Sequence, residues 1–179
     1  MAQELTELGL TFAFPDDWVI LRPQDTAFYR NQFQQMCGGC KETDFAAYDP
    51  NLRTLWLVEV KDFRVAGRQK PGALHDEVAL KVRDTLAFIM AGGLSTLSQD
   101  DSKRFWISVK RAKRVRVVLH CELPAHRSKL FPGISSLVNV AEKLRRSVRA
   151  IDSKAVVTDD NSVPGLPWIV TQTPQPHVN

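Results

Sequence analysis

"LWLVEVKDF" (residues 55–63) opens as a buried strand and then places charges where an apolar core would continue. Alternate side chains of a strand share a face. Leu55, Leu57, Glu59, Lys61 and Phe63 therefore point one way, and Trp56, Val58, Val60 and Asp62 the other. The apolar opening turns that first face into the interior, and Glu59 and Lys61 carry it to the end of the sheet. The bland alternative is an edge strand with a solvated Glu–Lys pair, which contributes little to stability. Edge strands rarely carry Leu-Trp-Leu-Val just before such a pair.

Working outward, "TDFAAYD" (43–49) alternates weakly and stops at "DPN", where Asp49 reads as a turn former. The tight connection predicts that this run and 54–63 form an antiparallel pair. Asp44 then starts one strand while Glu59 and Lys61 end the next. Upstream, "DDWVIL" (16–21) reads as a short strand, "QDTAFYRNQFQQM" (24–36) as a helix and "CGGC" (37–40) as a turn. Downstream comes a basic loop, "RVAGRQKPG" (64–72). Val78, Val82, Leu86 and Ile89 then mark a helix over 73–91, with Gly92 and Gly93 as its stop. Ser98 and Asp101 hold capping-box positions for a helix over 98–112. "RVRVVLHCEL" (114–123) is an interior strand, 135–151 an amphipathic helix, "AVVT" (155–158) a last short strand, and "TPQPHVN" (173–179) a loose tail. The expectation is a single α/β domain over 1–172, a central mixed β-sheet flanked by helices.

Two carboxylates brought together repel unless something positive lies between them. Hard oxygen ligands suit Mg2+ or Mn2+, which polarise a phosphodiester and help to generate hydroxide from water. A lysine one pleat from Glu59 can orient or activate that water and offset charge in the transition state.

Asp44, fourteen intervening residues and then Glu59-Val60-Lys61 in an apolar strand resembles the PD-(D/E)XK nuclease superfamily, the restriction-endonuclease-like fold. The order of elements over roughly residues 24–158 is also similar to that fold. The resemblance implies Asp44 and Glu59 as metal ligands, the Val60 carbonyl as a third ligand, and Lys61 as the catalytic lysine. A further acid on a preceding helix is implied too, with Asp25 best placed and Glu4 and Glu7 behind it. Thr43 stands where the motif often has proline. Lys81, on the helix after the motif, is implied to lie toward the site. The activity implied is Mg2+-dependent hydrolysis of DNA by water, in a prokaryotic defence, repair or mobile-element setting.

Net charge is +4, but 103–149 holds thirteen Lys or Arg against Glu122 and Glu142, leaving the remainder acidic. Such segregation is a polyanion footprint, although solvated helix faces produce the same count. Arg68, Lys70, Lys81, Arg104, Lys110, Arg111, Lys113 and Arg114 are the expected phosphate contacts. No stretch approaches the roughly 18–20 apolar residues of a membrane span. The acidic N-terminus lacks the start of a secretory signal, and three cysteines argue against a disulfide framework. These features predict a cytoplasmic protein with no membrane partner. The length leaves no room for a separate recognition domain, so a homodimer or an operon-encoded partner is expected to supply specificity.

Two other classes compete. A nucleic-acid-binding or regulatory subunit could keep the fold without cutting. A zinc-stabilised module could use Cys37 and Cys40 with Cys121, His120 or His126, but a single CxxC favours a glycine turn. His75 reads as a polar residue near a helix start and Trp106 as core.

Overall fold

The computed structural model describes residues 2–64, 72–94, 102–123, 137–159 and 165–172. The chain opens with β1 (Gln3–Glu7) and β2 (Leu10–Phe14), then β3 (Val19–Leu21), a 3-10 turn (Pro23–Asp25), a π-helical turn (Tyr29–Phe33) and a second 3-10 turn (Met36–Gly38). There follow β4 (Phe45–Asp49), β5 (Thr54–Asp62), α1 (Leu74–Leu94), α2 (Lys103–Val109) and β6 (Arg114–Glu122). α3 (Leu137–Ser147), β7 (Val156–Thr158) and β8 (Ile169–Gln172) complete the order.

Asp49 forms the expected turn: its Oδ1 accepts the N–H groups of Asn51 (2.9 Å) and Leu52 (3.1 Å). β4 and β5 are accordingly an antiparallel pair. They lie within a five-stranded sheet of order β3-β4-β5-β6-β7, antiparallel from β3 to β5 and parallel from β5 to β7. The sheet is mixed, as expected, and β6 is interior to it.

The two faces of β5 meet different partners. Leu55 and Leu57, with Ala46, Val117 and Leu119, pack on α1 and α3 through Val78, Val82, Phe88 and Leu144. Trp56, Val58 and Val60 pack instead on Leu10, Phe12 and Phe14 of β2 and on Trp168. Those β2 residues belong to a second, antiparallel sheet of order β1-β2-β8. The expectation of helices flanking the sheet therefore needs correction: among the described residues one face is covered by helices and the other by three strands. The even face of β5 is aromatic and β-branched, and period-two alternation in β2 supplies the flat apolar cover it needs.

Three boundaries also differ. The helix expected over 24–36 is broken into short turns, Pro23–Asp25, Tyr29–Phe33 and, at its end, Met36–Gly38. α1 runs through Gly92 and Gly93 to Leu94, and a Cβ at Gly92 would sit 2.7 Å from the Trp106 ring. Gly92 is a packing position rather than a stop, and Trp106 is core, 4% exposed. α2 begins at Lys103, and Ser98 and Asp101 lie outside the described residues, as do the tail, Arg68 and Lys70.

Candidate active site

The register of β4 on β5 builds the site. Phe45 pairs with Val58, so Asp44, one residue earlier, lies opposite Glu59. Asp44 Oδ2 accepts the Val60 N–H at 2.6 Å, capping the ladder where β4 begins. The Val60 carbonyl leaves the strand on the same side as its N–H, toward Asp44. Thr43 fastens this corner to α1: its N–H donates to Thr85 Oγ1 at 2.8 Å.

α1 adds Glu77 and Lys81, an i,i+4 pair on one helix face. Glu59 is fully buried, and its Oε1 meets Lys61 Nζ at 2.5 Å and Lys81 Nζ at 2.6 Å. Lys61 Nζ also lies 3.4 Å from Glu77 Oε1. Glu59 Oε2 has no hydrogen-bond partner. On the other flank, Glu7 at the end of β1 forms an ion pair with Arg22.

Burial, then the charge of Asp44, pushes the Glu59 carboxyl up to about 6 against the opposing pull of Lys81 and Lys61. Burial and then Asp44 also raise Glu7, against Arg22 and Lys81. Asp44 therefore acts on both Glu7 and Glu59. For Lys61, burial pulls downward but Glu59, then Glu77 and Asp44, outweigh it and raise the ammonium's pKa. Lys61 is thus a charged donor at neutral pH.

The structure brings Asp44, Glu59, Val60, Lys61 and Lys81 to one corner. Lys81 lies in that cluster instead of on an outer phosphate-binding face. Asp25 lies at its margin: its side chain is 68% exposed, 3.9 Å from Arg22, and its charge contributes to raising Glu7. The acid electrostatically linked to Asp44 from the N-terminal side is Glu7. Arg104 is exposed and lines a cavity of about 620 Å³ with Arg22 and Asp25. Lys110, Arg111, Lys113 and Arg114 are exposed at the other end of the sheet. Arg114 pairs with Thr54 and Cys121 with Lys61, so β6 separates those levels by roughly 20–25 Å.

The remaining readings resolve plainly. Asp62 is held by Arg64 in a two-pronged ion pair. His75 lies 3.5 Å from its neighbour Asp76. Cys37 is exposed in a turn, and Cys121 is buried with its thiol pushed up to about 12 by desolvation. His120 is buried against Glu122 at 2.7 Å, and His126 lies outside the described residues. Sequence reasoning missed Glu77 and Arg22. The Glu77–Lys81 spacing after the motif was the available signal for the first.

Among the described residues, no group of three or more His, Cys, Asp or Glu is placed to hold a metal. The chemistry of the corner nonetheless suits a hard cation. Its donors are oxygens, Glu59 Oε2 is buried without a partner, and four carboxylates (Glu7, Asp44, Glu59, Glu77) face three cations (Arg22, Lys61, Lys81).

No family model matches the sequence, and no solved structure matches it. Among curated proteins, Cysteine–tRNA ligase of Neisseria meningitidis (serogroup A / serotype 4A, strain DSM 15465 / Z2491) is 29% identical over 167 residues. The match takes in 76% of this chain, and the chain spans 23% of that relative's length.

Proposed function

We propose that this chain is a divalent-metal-dependent nuclease of the PD-(D/E)XK type, hydrolysing DNA phosphodiester bonds at Asp44, Glu59 and Lys61. The observation that carries the reading is the convergence of Lys61 and Lys81 on one oxygen of buried Glu59 beside Asp44. A sheet that is antiparallel from β3 to β5 and parallel beyond it supports the same fold family.

Asp44, Glu59 and the Val60 carbonyl are the residues to hold Mg2+ or Mn2+, with Glu7 as a further acid on the Asp44 side. The bound ion would supply positive charge at a phosphate oxygen and lower the pKa of a water. Lys61 stays an ammonium: it donates hydrogen bonds, orients the attacking water and offsets charge developing on the phosphoryl oxygens. Lys81 compensates Glu59, so Lys61 is free to turn toward substrate. Glu77 positions Lys61, and Asp44 fixes the backbone at Val60. Specificity would come from a second copy or an operon-encoded partner in a prokaryotic cytoplasm.

The test incubates purified protein with supercoiled plasmid, linear duplex, single-stranded DNA and tRNA, each with Mg2+ or Mn2+. The expected result is cleavage of DNA by the wild type and a loss of at least about 100-fold in Lys61→Ala. Equal cleavage by both proteins overturns the reading.

A second reading is a nucleic-acid-binding domain that does not cut. Two ammonium groups already balance Glu59 without a metal, and the similar protein is named for a reaction on tRNA. Binding of tRNA or DNA with no cleavage under any metal selects it.

A further inference from the structure

Among the described residues, a basic cluster lies away from the carboxylates. Because β5 and β6 are parallel, the chain enters both strands at the end of the sheet away from Glu59. The turn before β6 puts Lys110, Arg111, Lys113 and Arg114 there, all exposed, with the Lys113 N–H bonded to the Arg53 carbonyl at 2.8 Å. The last turn of α3 and the residues after it carry exposed Arg145, Arg146 and Arg149 on the way to β7. The Arg145 guanidinium donates to the Ala155 carbonyl at 2.9 Å, which fixes that end of α3 beside β7. Of the acids near this end, Asp152 accepts from Arg116 and from the Val117 N–H, Asp49 is buried in its own turn, and exposed Asp17 accepts from the Asn51 amide.

Within this cationic end lies a niche of about 190 Å³ lined by Leu52, Thr54, Trp56, Arg114, Arg116 and Pro167. That is below the roughly 300–1,000 Å³ of a drug-sized ligand site, and it suits a phosphate with part of its sugar. Arg116 is held rigidly: its Nε bonds Asp152 at 3.0 Å, its Nη2 bonds the Lys154 carbonyl at 2.9 Å, and its guanidinium lies 5.4 Å over the Trp56 ring. Trp56 is 6% exposed, and its indole N–H has no hydrogen-bond partner. Two guanidiniums lining one concavity offer a phosphate charge-assisted hydrogen bonds.

We infer that the end of the five-stranded sheet opposite Glu59 is a docking surface for a nucleic-acid backbone, with one phosphate seated in the Trp56–Arg114–Arg116 niche. It reads charge and backbone, not base sequence. Its outer edge at Arg114 lies five residues along β6 from Leu119, the partner of Glu59, or roughly 15–20 Å, about five base-pair steps of a duplex. It stands whether or not the carboxylates cut.

The test is equilibrium binding in EDTA, so that no cleavage enters, with a labelled DNA duplex and with tRNA as probes. A Lys113→Glu/Arg114→Glu variant is expected to bind at least about tenfold more weakly, with the salt slope of log K reduced by about two. Lys113→Gln/Arg114→Gln, which removes charge without reversing it, follows in the same direction with a smaller loss. Arg30→Glu/Lys41→Glu changes net charge equally on an exposed surface elsewhere and stays within about twofold of wild type. Thermal melting confirms folding of each variant. Unchanged affinity and slope in both Lys113/Arg114 variants overturns the inference, as does wild-type binding to anionic vesicles but to neither nucleic acid.

Discussion

Glu59 is the residue on which the site turns, because a fully buried carboxylate between two ammoniums and an aspartate ties stability to protonation. Its pKa is raised, so the folded state favours the protonated form. Stability from this group is fully present below the unfolded carboxylate value of 4.5 and is lost as pH rises through about 6. The metal-free protein is therefore expected to lose about 2 kcal/mol from this group between pH 4.5 and 6.5. Lys61, also raised, holds its contribution until the alkaline range. Added Mg2+ should restore melting temperature above pH 6 and have little effect at pH 5, since a ligand must be deprotonated. Melting curves across pH with and without Mg2+ check this, and no difference between the two series contradicts it. Asp44, Glu59 and Lys61 were legible in the sequence because period two fixes which side chains share a face. Asp25 is exposed because the expected helix 24–36 forms only as short turns, and it reaches the corner only through Arg22 and Glu7. The carboxylate on that flank comes instead from Glu7, at the end of a hairpin the sequence reading did not identify.

At the scale of elements, that hairpin escaped because its turn is Leu8-Gly9, both with positive φ (49° and 74°). Such two-residue turns usually announce themselves with Asn-Gly or Asp-Gly, and leucine pays a strain there that only the flanking strands can offset. The β5 strand and its pairing with β4 were legible, since a turn-forming Asp-Pro-Asn joins two alternating runs. The end of α1 was not, because its two glycines were read for conformation and one of them serves packing. This yields opposite expectations for neighbouring residues. Gly92→Ala drives a methyl into the Trp106 ring and should cost about 1–3 kcal/mol. Gly93→Ala meets nothing closer than 3.9 Å and should stabilise by roughly 0.5–1 kcal/mol through helix propensity. Chemical denaturation of the two variants checks the pair. Equal effects would show that Trp106 does not fix the spacing of α1 and α2.

Among the described residues, the carboxylate corner and the exposed basic turn before β6 lie at opposite ends of one sheet. The sequence showed the surplus between Lys103 and Arg149 but not its address, which depends on β6 running parallel to β5. A span from one end to the other implies that cutting and gripping separate on mutation. Lys61→Ala is expected to lower kcat, whereas Lys113→Glu/Arg114→Glu should raise KM and leave kcat within about threefold. Steady-state cleavage of a labelled duplex distinguishes the two, and parallel loss of kcat in both variants contradicts the separation. No helix among the described residues is long and apolar enough to cross a membrane. The central claim is that Asp44 and Glu59 share a cation. Titration of the purified protein with Mn2+ near neutral pH, followed by calorimetry or electron paramagnetic resonance, tests it directly. The account predicts one tightly held Mn2+ per chain in the wild type and its loss in Glu59→Gln. Equal binding by both proteins, or none by the wild type, contradicts it.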